Sequence, residues 1–322
     1  MKQYLDYIKR AWIGSKGVSN ITQMPTLYHF IDYCCAVLFH GCLIRQYTIG
    51  QFYNKKYFER KNILTYFRIL KIYKKFNSPD SVHILENKAS FNKYFASFVK
   101  RQWLYVRETS FEQFEYFINN INSIIIKPIS AEEGIGVRKF ERSSTSNDDL
   151  HALYQKLFEE DVIIEECIKQ HSEMCFNNTS VNTIRVMTVL DKNGRGHVLK
   201  TILRAGIGDT VVDNYCAGGV IYNVNVETGF VDSKGISRAG SDHIIHPNSN
   251  IVMLGYKIPN WHSVIDGCIR AAEQLPSCRF IGWDVAITDD AIELIEGNHN
   301  PDYELYEFIG PIGQYKHIKM YQ

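Results

Sequence analysis

Residues 280–302 read FIGWDVAITDDAIELIEGNHNPD, two runs rich in β-branched and aromatic residues split by Asp289-Asp290. Such runs around a turn-forming pair predict a β-hairpin. Side chains alternate faces along a strand, so Ile292, Leu294, Glu296 and Asn298 are expected on one face and Ala291, Glu293 and Ile295 on the other. A three-residue loop, 289–291, pairs Thr288 with Ile292 and sets Asp284 opposite Glu296, whereas a two-residue loop pairs Asp284 with Ile295 and turns it away. The three-residue loop is the expectation adopted. Two carboxylates and an amide oxygen, with water and phosphates completing an octahedron, suit magnesium. An exposed hairpin with solvated acids is the plainer alternative.

The 322 residues allow two or three subdomains with a substantial core, and 45% hydrophobic against 22% charged residues is ordinary globular composition. The apolar-rich stretch 34–44 is interrupted by His40 and falls far short of the roughly 20 residues of a spanning helix. Residues 1–17 lack the basic, apolar and small-residue succession of a secretory signal, which predicts a cytoplasmic protein. Eight cysteines without CxxC spacing read as reduced thiols rather than as a disulfide framework or zinc site. Charge is uneven: residues 1–110 hold 18 Lys and Arg against 6 Asp and Glu, while the whole chain is only +1. The basic half can meet an anionic membrane surface, a phosphorylated substrate or nucleic acid, and solvated helix faces packed against an acidic half explain it at least as well.

Residues 1–80 are rich in Tyr, Phe, Ile, Leu and Lys, with helix-like apolar spacing over 27–43 and 57–73, which predicts a helical N-terminal region. Its aromatic richness reads as core rather than as a platform for stacking bases, so no nucleic-acid partner is expected. The turn cluster 77–81 marks the first boundary. Lys88 then stands at the mouth of a helix-like 89–100, where a lysine can reach a phosphate. At 124–128 a β-branched run ends in Lys127-Pro128 and leads into 130–137, whose Gly134 and Gly136 permit backbone angles that aim N–H groups at phosphate oxygens. Lys127 precedes the glycines and no Lys-Ser or Lys-Thr follows them, so this is not a Walker loop, and a plain hairpin turn has the same look. A helix-like 148–160 precedes the buried-type strand 162–168, which turns after Glu165 and Glu166 and can offer backbone groups to adenine. The β-rich stretches 180–190 and 196–204, joined by the turn 191–194, place Arg185 and Arg204 inside a sheet, where a cation needs an anion. Asp213-Asn214 and Gly218-Gly219 mark a second place of close backbone approach.

Taken in this order, the residues resemble those of the ATP-grasp superfamily, and most of all its sugar-transfer-associated members encoded among polysaccharide biosynthesis genes. The resembling strings are SVNTIRVMTV, VDNYCAGGV, His246-Pro247, IPNW, and GWDVAIT followed by LIEGN; with the lysines and the glycine loop they run over roughly residues 25–302. The resemblance implies an α+β fold in which two subdomains, 81–165 and 166–322, clasp ATP between antiparallel sheets after the helical residues 1–80. It implies that Lys88 and Lys127 contact the phosphates, with 130–137, including Ser130, Gly134 and Gly136, as a mobile flap. Backbone of Glu166 and Ile168 would hold adenine, with Glu165 or Glu173 near its amino group or the ribose. Arg185 and Arg204 would neutralise the γ-phosphate or an acyl phosphate. Asn182, Asp213, Asn214, Gly218 and Gly219 would face substrate, and Asp284, Glu296 and Asn298 would bind one or two magnesium ions. Two positions depart from the family pattern: Glu132-Glu133 stand where related flaps often carry small residues, and Asn87 replaces the acid that often precedes the first lysine.

The usual chemistry of that superfamily is carboxylate activation, in which ATP phosphorylates an acid and an amine attacks the acyl phosphate to give an amide. The expected partners are therefore a glycan or small-molecule carboxylate and an amine or amino acid, for instance an amino acid joined to a uronic acid. A phosphotransferase acting on a sugar hydroxyl, or a degenerate ATP-binding partner of a glycosyltransferase, are the alternatives. Asp213 or His246 would suit either acceptor as a base. Two guanidiniums on one sheet face repel unless something negative lies between them, and in the ligase reading that group is the acyl phosphate.

Overall fold

The computed structural model describes residues 2–131, 134–142, 147–177, 179–208, 218–237, 242–309 and 313–322. It divides into two compact units, one of Met1–Phe76 with Asp302–Gln322 and one of Asn77–Pro301.

The first unit is helical, with Lys2–Thr22, Thr26–His40, Ile44–Thr48, Tyr57–Arg60 and Tyr66–Phe76 followed at the C-terminal end by Tyr303–Phe308 and Gln314–Lys319. The continuous helix expected over 57–73 is broken because Leu64 spends its backbone on side chains: its N–H donates to Glu307 and its carbonyl accepts from Gln46. Glu307 also takes the N–H groups of Gly313 and Gln314. These bonds bring residues 302–322 to the helical unit, where the sequence reading had assigned them to the second subdomain. Inside, Tyr33, Tyr47 and Phe52 are buried, and Asp32 accepts both Arg60 Nη1 and Nη2, at 2.7 and 2.9 Å, and the Tyr47 hydroxyl at 2.8 Å.

The second unit holds two antiparallel sheets among the described residues. The smaller comprises β1 (Trp103–Tyr105), β2 (Ser123–Pro128), β3 (Arg138–Glu141) and β4 (Val162–Glu166), in the order β1-β4-β2-β3. The larger comprises β5 (Thr183–Leu190), β6 (Gly196–Ala205), β7 (Val220–Val224), β8 (Gly235–Ser237), β9 (Asp242–His243), β10 (Phe280–Ile287) and β11 (Ile292–Asn298), in the order β11-β10-β5-β6-β7-β8-β9. Every residue of β5 and β10 is buried, as central strands covered on both faces should be. One face packs on the helix Trp261–Gln274 through Val264, Cys268, Ala271 and Ala272. Trp283 anchors that core, its indole N–H donating to Thr188 Oγ1 at 2.8 Å. Gly297 admits a close approach there: a Cβ would stand 3.0 Å from both Leu85 and Trp283. The architecture is α+β with a helical N-terminal region.

Candidate functional site

The hairpin of β10 and β11 closes on a two-residue turn, with the Thr288 N–H donating to Ala291 O at 3.0 Å and Ile287 opposite Ile292. The expected three-residue loop, with Thr288 opposite Ile292, is thus replaced. Asp284 nonetheless faces Glu296, because the register shifts between Asp284 and Val285. Val285 pairs with Leu294, which leaves Ile295 as an extra residue, a β-bulge. One inserted residue reverses the alternation beyond it. Glu293, opposite Ala286, therefore shares the face of Asp284, Glu296 and Asn298, while Ile292 and Leu294 turn into the core with Val285 and Ile287. This corrects the expectation that Leu294 and Glu296 share a face from which Glu293 is excluded.

On the next strand Arg185 stands opposite Asp284, and it also stands opposite Ile202, two residues before Arg204. All four lie on one face. Arg185 grips both Asp284 oxygens, Nε on Oδ1 and Nη2 on Oδ2 at 2.8 Å, and Arg204 Nη1 reaches Oδ2 at 2.8 Å. Asp284 is 4%, Arg185 8% and Arg204 7% exposed, a degree of burial that charged groups tolerate only when paired. Burial pushes the Asp284 carboxyl up, but Arg185 and then Arg204 outweigh it and hold the group well below the usual carboxylate range. Glu296 moves the other way, raised by burial and then by the charge and hydrogen bond of Asp284. The anion needed between the two arginines, expected from an acyl phosphate, is Asp284 in this structure. Two more residues of this face escaped the sequence reading. Lys200 lies two residues before Ile202 and is buried, and Asn223, opposite Ile202, donates to Asp232 while its buried Oδ1 has no hydrogen-bond partner among the described residues. The alternation Lys200, Ile202, Arg204 within one strand was the available signal.

The smaller sheet carries the other candidates. Lys127 Nζ lies 2.5 Å from Glu165 Oε2, whose Oε1 accepts from Arg101 Nη2 at 2.9 Å and Asn92 Nδ2 at 3.0 Å. Arg101 continues to Glu293 Oε1 at 2.7 Å and to the Leu294 carbonyl at 2.8 Å, which joins the smaller sheet to the bulged strand of the larger. Burial raises the Glu165 carboxyl, but Arg101 and Lys127 outweigh it and hold the group well below the usual range. Glu165, 2% exposed, is thereby a hub of this network. Lys88 opens the helix Lys88–Tyr94, and Asn87 is its N-cap, accepting from the Ser90 N–H at 2.9 Å. A capping role accounts for an amide at this position. Lys88 holds the start of the glycine loop, its Nζ donating to Ala131 O at 2.6 Å and its backbone N–H to Ile129 O at 3.2 Å. Gly134 and Gly136 take φ of 74° and 75°, a region open to glycine, and a Cβ on Gly136 would meet Pro128 at 2.8 Å. Ser130 is exposed beside them, and Glu132 and Glu133 lie outside the described residues.

Several expected contacts are spent elsewhere. Asn182, expected to face substrate, is buried, with Oδ1 accepting from Gly206 N–H at 2.8 Å and Nδ2 donating to Met174 O at 2.7 Å, so it ties the entry of β5 to its surroundings. His246 is equally occupied: Nε2 donates to Gly206 O at 3.1 Å, Nδ1 accepts from Ser249 N–H at 3.3 Å, and burial lowers its proton affinity. The Glu166 N–H donates to Gln102 O at 2.8 Å, so of its backbone only the carbonyl is left to consider for adenine. Ile168 is half-buried just past β4, and Glu173 is exposed on a short turn. Gly218 takes φ of 103° at an exposed turn and Gly219 is buried before β7. Asp213, Asn214 and Cys216 lie outside the described residues.

Asp284, Glu296 and Asn298 present hard oxygens on one face, and the Glu296 carboxyl is raised first by burial and then by the Asp284 beside it, a desolvated carboxyl that a divalent cation would stabilise in its charged form. The donor set fits magnesium. Asp284 already accepts three bonds from arginine, so Glu296 and Asn298 are the residues that would hold the ion first, with Asn298 Nδ2 directed at Glu296 Oε1, 3.3 Å away. Among the described residues no group of three His, Cys, Asp or Glu side chains is arranged to hold a metal ion, so the Asn298 amide is needed.

The profile of the family described as sugar-transfer associated ATP-grasp matches residues 68–317. No curated protein matches the chain. Among solved structures, the ATP-grasp ligase PsnB complexed with minimal precursor is similar, with 16% identity over 79% of this chain and 67% of that one and a TM-score of 0.47. The ADP complex of purK, an N5-carboxyaminoimidazole ribonucleotide synthetase, has 12% identity over 73% and 51% of the two chains and a TM-score of 0.42. D-alanine–D-alanine ligase from Bacillus anthracis has 16% identity over 68% and 57%, with a TM-score of 0.38. The chain spans between about half and two thirds of the length of these structures.

Proposed function

Since the chain belongs to the sugar-transfer associated ATP-grasp family, we propose that it is an ATP- and magnesium-dependent carboxylate–amine ligase of cell-surface polysaccharide biosynthesis, joining for instance an amino acid to a uronic acid. The observation that carries this reading is the buried cluster in which Arg185 and Arg204 converge on Asp284 beside Glu296. Phosphoryl transfer to a carboxylate brings two anions together, and what it asks of a protein is alignment and fixed positive charge rather than a nucleophile. Lys127 and Lys88, at the two ends of the segment leading into the glycine loop, would hold the ATP phosphates, with residues 130–137 folding over them. Arg185 and Arg204, two guanidiniums against one carboxylate, would steady the acid as it takes up the γ-phosphoryl group and as the amine displaces phosphate. Magnesium, held by Glu296, Asn298 and Asp284, would neutralise phosphate charge. Backbone of Glu166 and Ile168, with Glu173 close by, would meet adenine, while Asp213, Asn214, Gly218 and Gly219 would line the substrate side. Residues 81–165 would then form the nucleotide-covering half and residues 166–301 the metal-holding half.

The test is turnover of ATP and magnesium with panels of uronic acids and amino acids, the product read by mass. An amide accompanied by ADP and phosphate supports the ligase. A phosphate ester on a sugar hydroxyl replaces it with phosphotransfer.

A further inference from the structure

The helix Thr26–His40 turns its polar requirements inward. His29, Tyr33, Ala36 and His40 are its buried positions, and its single acid, Asp32, is engaged by Arg60 and Tyr47. Its outer face is apolar: Leu27, Tyr28, Ile31, Leu38 and Phe39 are exposed, Leu38 and Phe39 at 78% and 75%. Leu27, Ile31 and Leu38 recur at helical spacing, so they form one stripe along the whole element, where a surface helix of a water-soluble domain carries polar side chains. The patch extends to the helix Lys2–Thr22, where Leu5, Ile8 and Trp12 are exposed and the Trp12 ring meets Phe30 edge to face at 5.4 Å. Lys9, Arg10 and Lys16 are exposed on that same helix, and residues 1–76 hold 13 Lys and Arg against 3 Asp and Glu.

We propose that this two-helix face docks the protein on an anionic lipid surface. Aliphatic side chains and a tryptophan beside lysines and arginines are the composition with which helices lie in a headgroup layer, the rings and aliphatics entering its edge and the cations meeting lipid phosphates. Among the described residues no helix is long and apolar enough to cross a membrane, so the contact lies on the bilayer. The excess of basic charge also selects this occupant over a second copy of the chain, because a two-fold contact would bring the same cations together. The proposal goes beyond the ligase reading and stands independently of it.

The experiment is vesicle co-sedimentation with phosphatidylcholine alone and with phosphatidylcholine mixed with phosphatidylglycerol, on the full chain. The protein is expected to sediment with the mixed vesicles only, and to be released by salt. Ile31→Glu with Leu38→Glu, both at exposed positions, should cut that partition by about tenfold or more while leaving thermal unfolding unchanged. Trp12 should shift its fluorescence to the blue on the mixed vesicles, a shift that Trp12→Phe removes. Failure to sediment, equal binding to neutral vesicles, or wild-type partition by the double variant overturns the proposal. So does sedimentation equilibrium showing a dimer that the double variant dissociates, since the face would then belong to a second copy.

Discussion

Replacing Arg101 by Leu removes a guanidinium that spans both sheets. In the native protein it is bonded to Glu165, Glu293, Asn92 and the Leu294 carbonyl, all at 3.2 Å or less. Leucine fills similar volume but leaves Glu165 with Lys127 and Asn92, and Glu293 with the backbone N–H groups of positions 100 and 101. Removing one partner of a buried ion pair costs about 3–5 kcal/mol, a large share of the roughly 5–15 kcal/mol by which a domain is stable. The penalty depends on pH in a definite direction. Glu165 has its proton affinity depressed in the folded state, so its pairing stabilises fully above the ordinary value of 4.5 and is lost as pH falls below it. The variant has less of this stabilisation to lose, so the gap between the two proteins is widest at neutral pH and narrows on acidification below 4.5. Urea unfolding followed by circular dichroism, at neutral pH and in steps through that range, measures both. A variant within about 1 kcal/mol of wild type at neutral pH, or a gap that widens on acidification, would refute the hub.

Lys127→Ala should weaken ATP more than adenosine, because an ammonium that pairs with Glu165 still has donors for phosphate; isothermal titration with both ligands decides, and equal losses point to damage at Glu165 instead. Arg204→Ala leaves Asp284 its two bonds to Arg185, so ATP affinity should stay within a few fold while product formation falls about 100-fold or more; a collapse of ATP binding with an unchanged rate per bound ATP would make Arg204 a nucleotide ligand. Asn182→Ala should lower stability by about 1–3 kcal/mol, since it strands the Gly206 N–H and the Met174 carbonyl, and should leave substrate KM unchanged; an altered KM in a fully stable variant would restore a substrate role.

Periodicity made the helices and strands legible, and the motif strings made the ATP-grasp fold legible. The opposition of Asp284 and Glu296 was anticipated for the wrong reason. A tighter turn and a bulge at Ile295 shift the register by one residue each in opposite senses, and strict alternation, which cannot register a bulge, therefore misplaced Glu293 and Leu294 while bringing Asp284 to its true partner. The Arg101 hub was invisible for a different reason: its bonds to Glu165 and Glu293 cross 64 and 192 residues, and no local spacing encodes them. Asn182 is a polar residue in a family string whose side chain bonds the backbone of its neighbours, bonds that no local spacing encodes. Lys200 was legible in principle, as a cation alternating with Arg204 in a β-rich run.

The most direct test of the proposed site is calorimetric titration of ATP, with and without magnesium, into wild type and Glu296→Gln. Wild type should bind ATP more tightly when magnesium is present, and Glu296→Gln should lose that gain while keeping its thermal unfolding and its magnesium-free affinity. A folded Glu296→Gln protein that retains the full magnesium-dependent gain would contradict the site built on Asp284, Glu296 and Asn298.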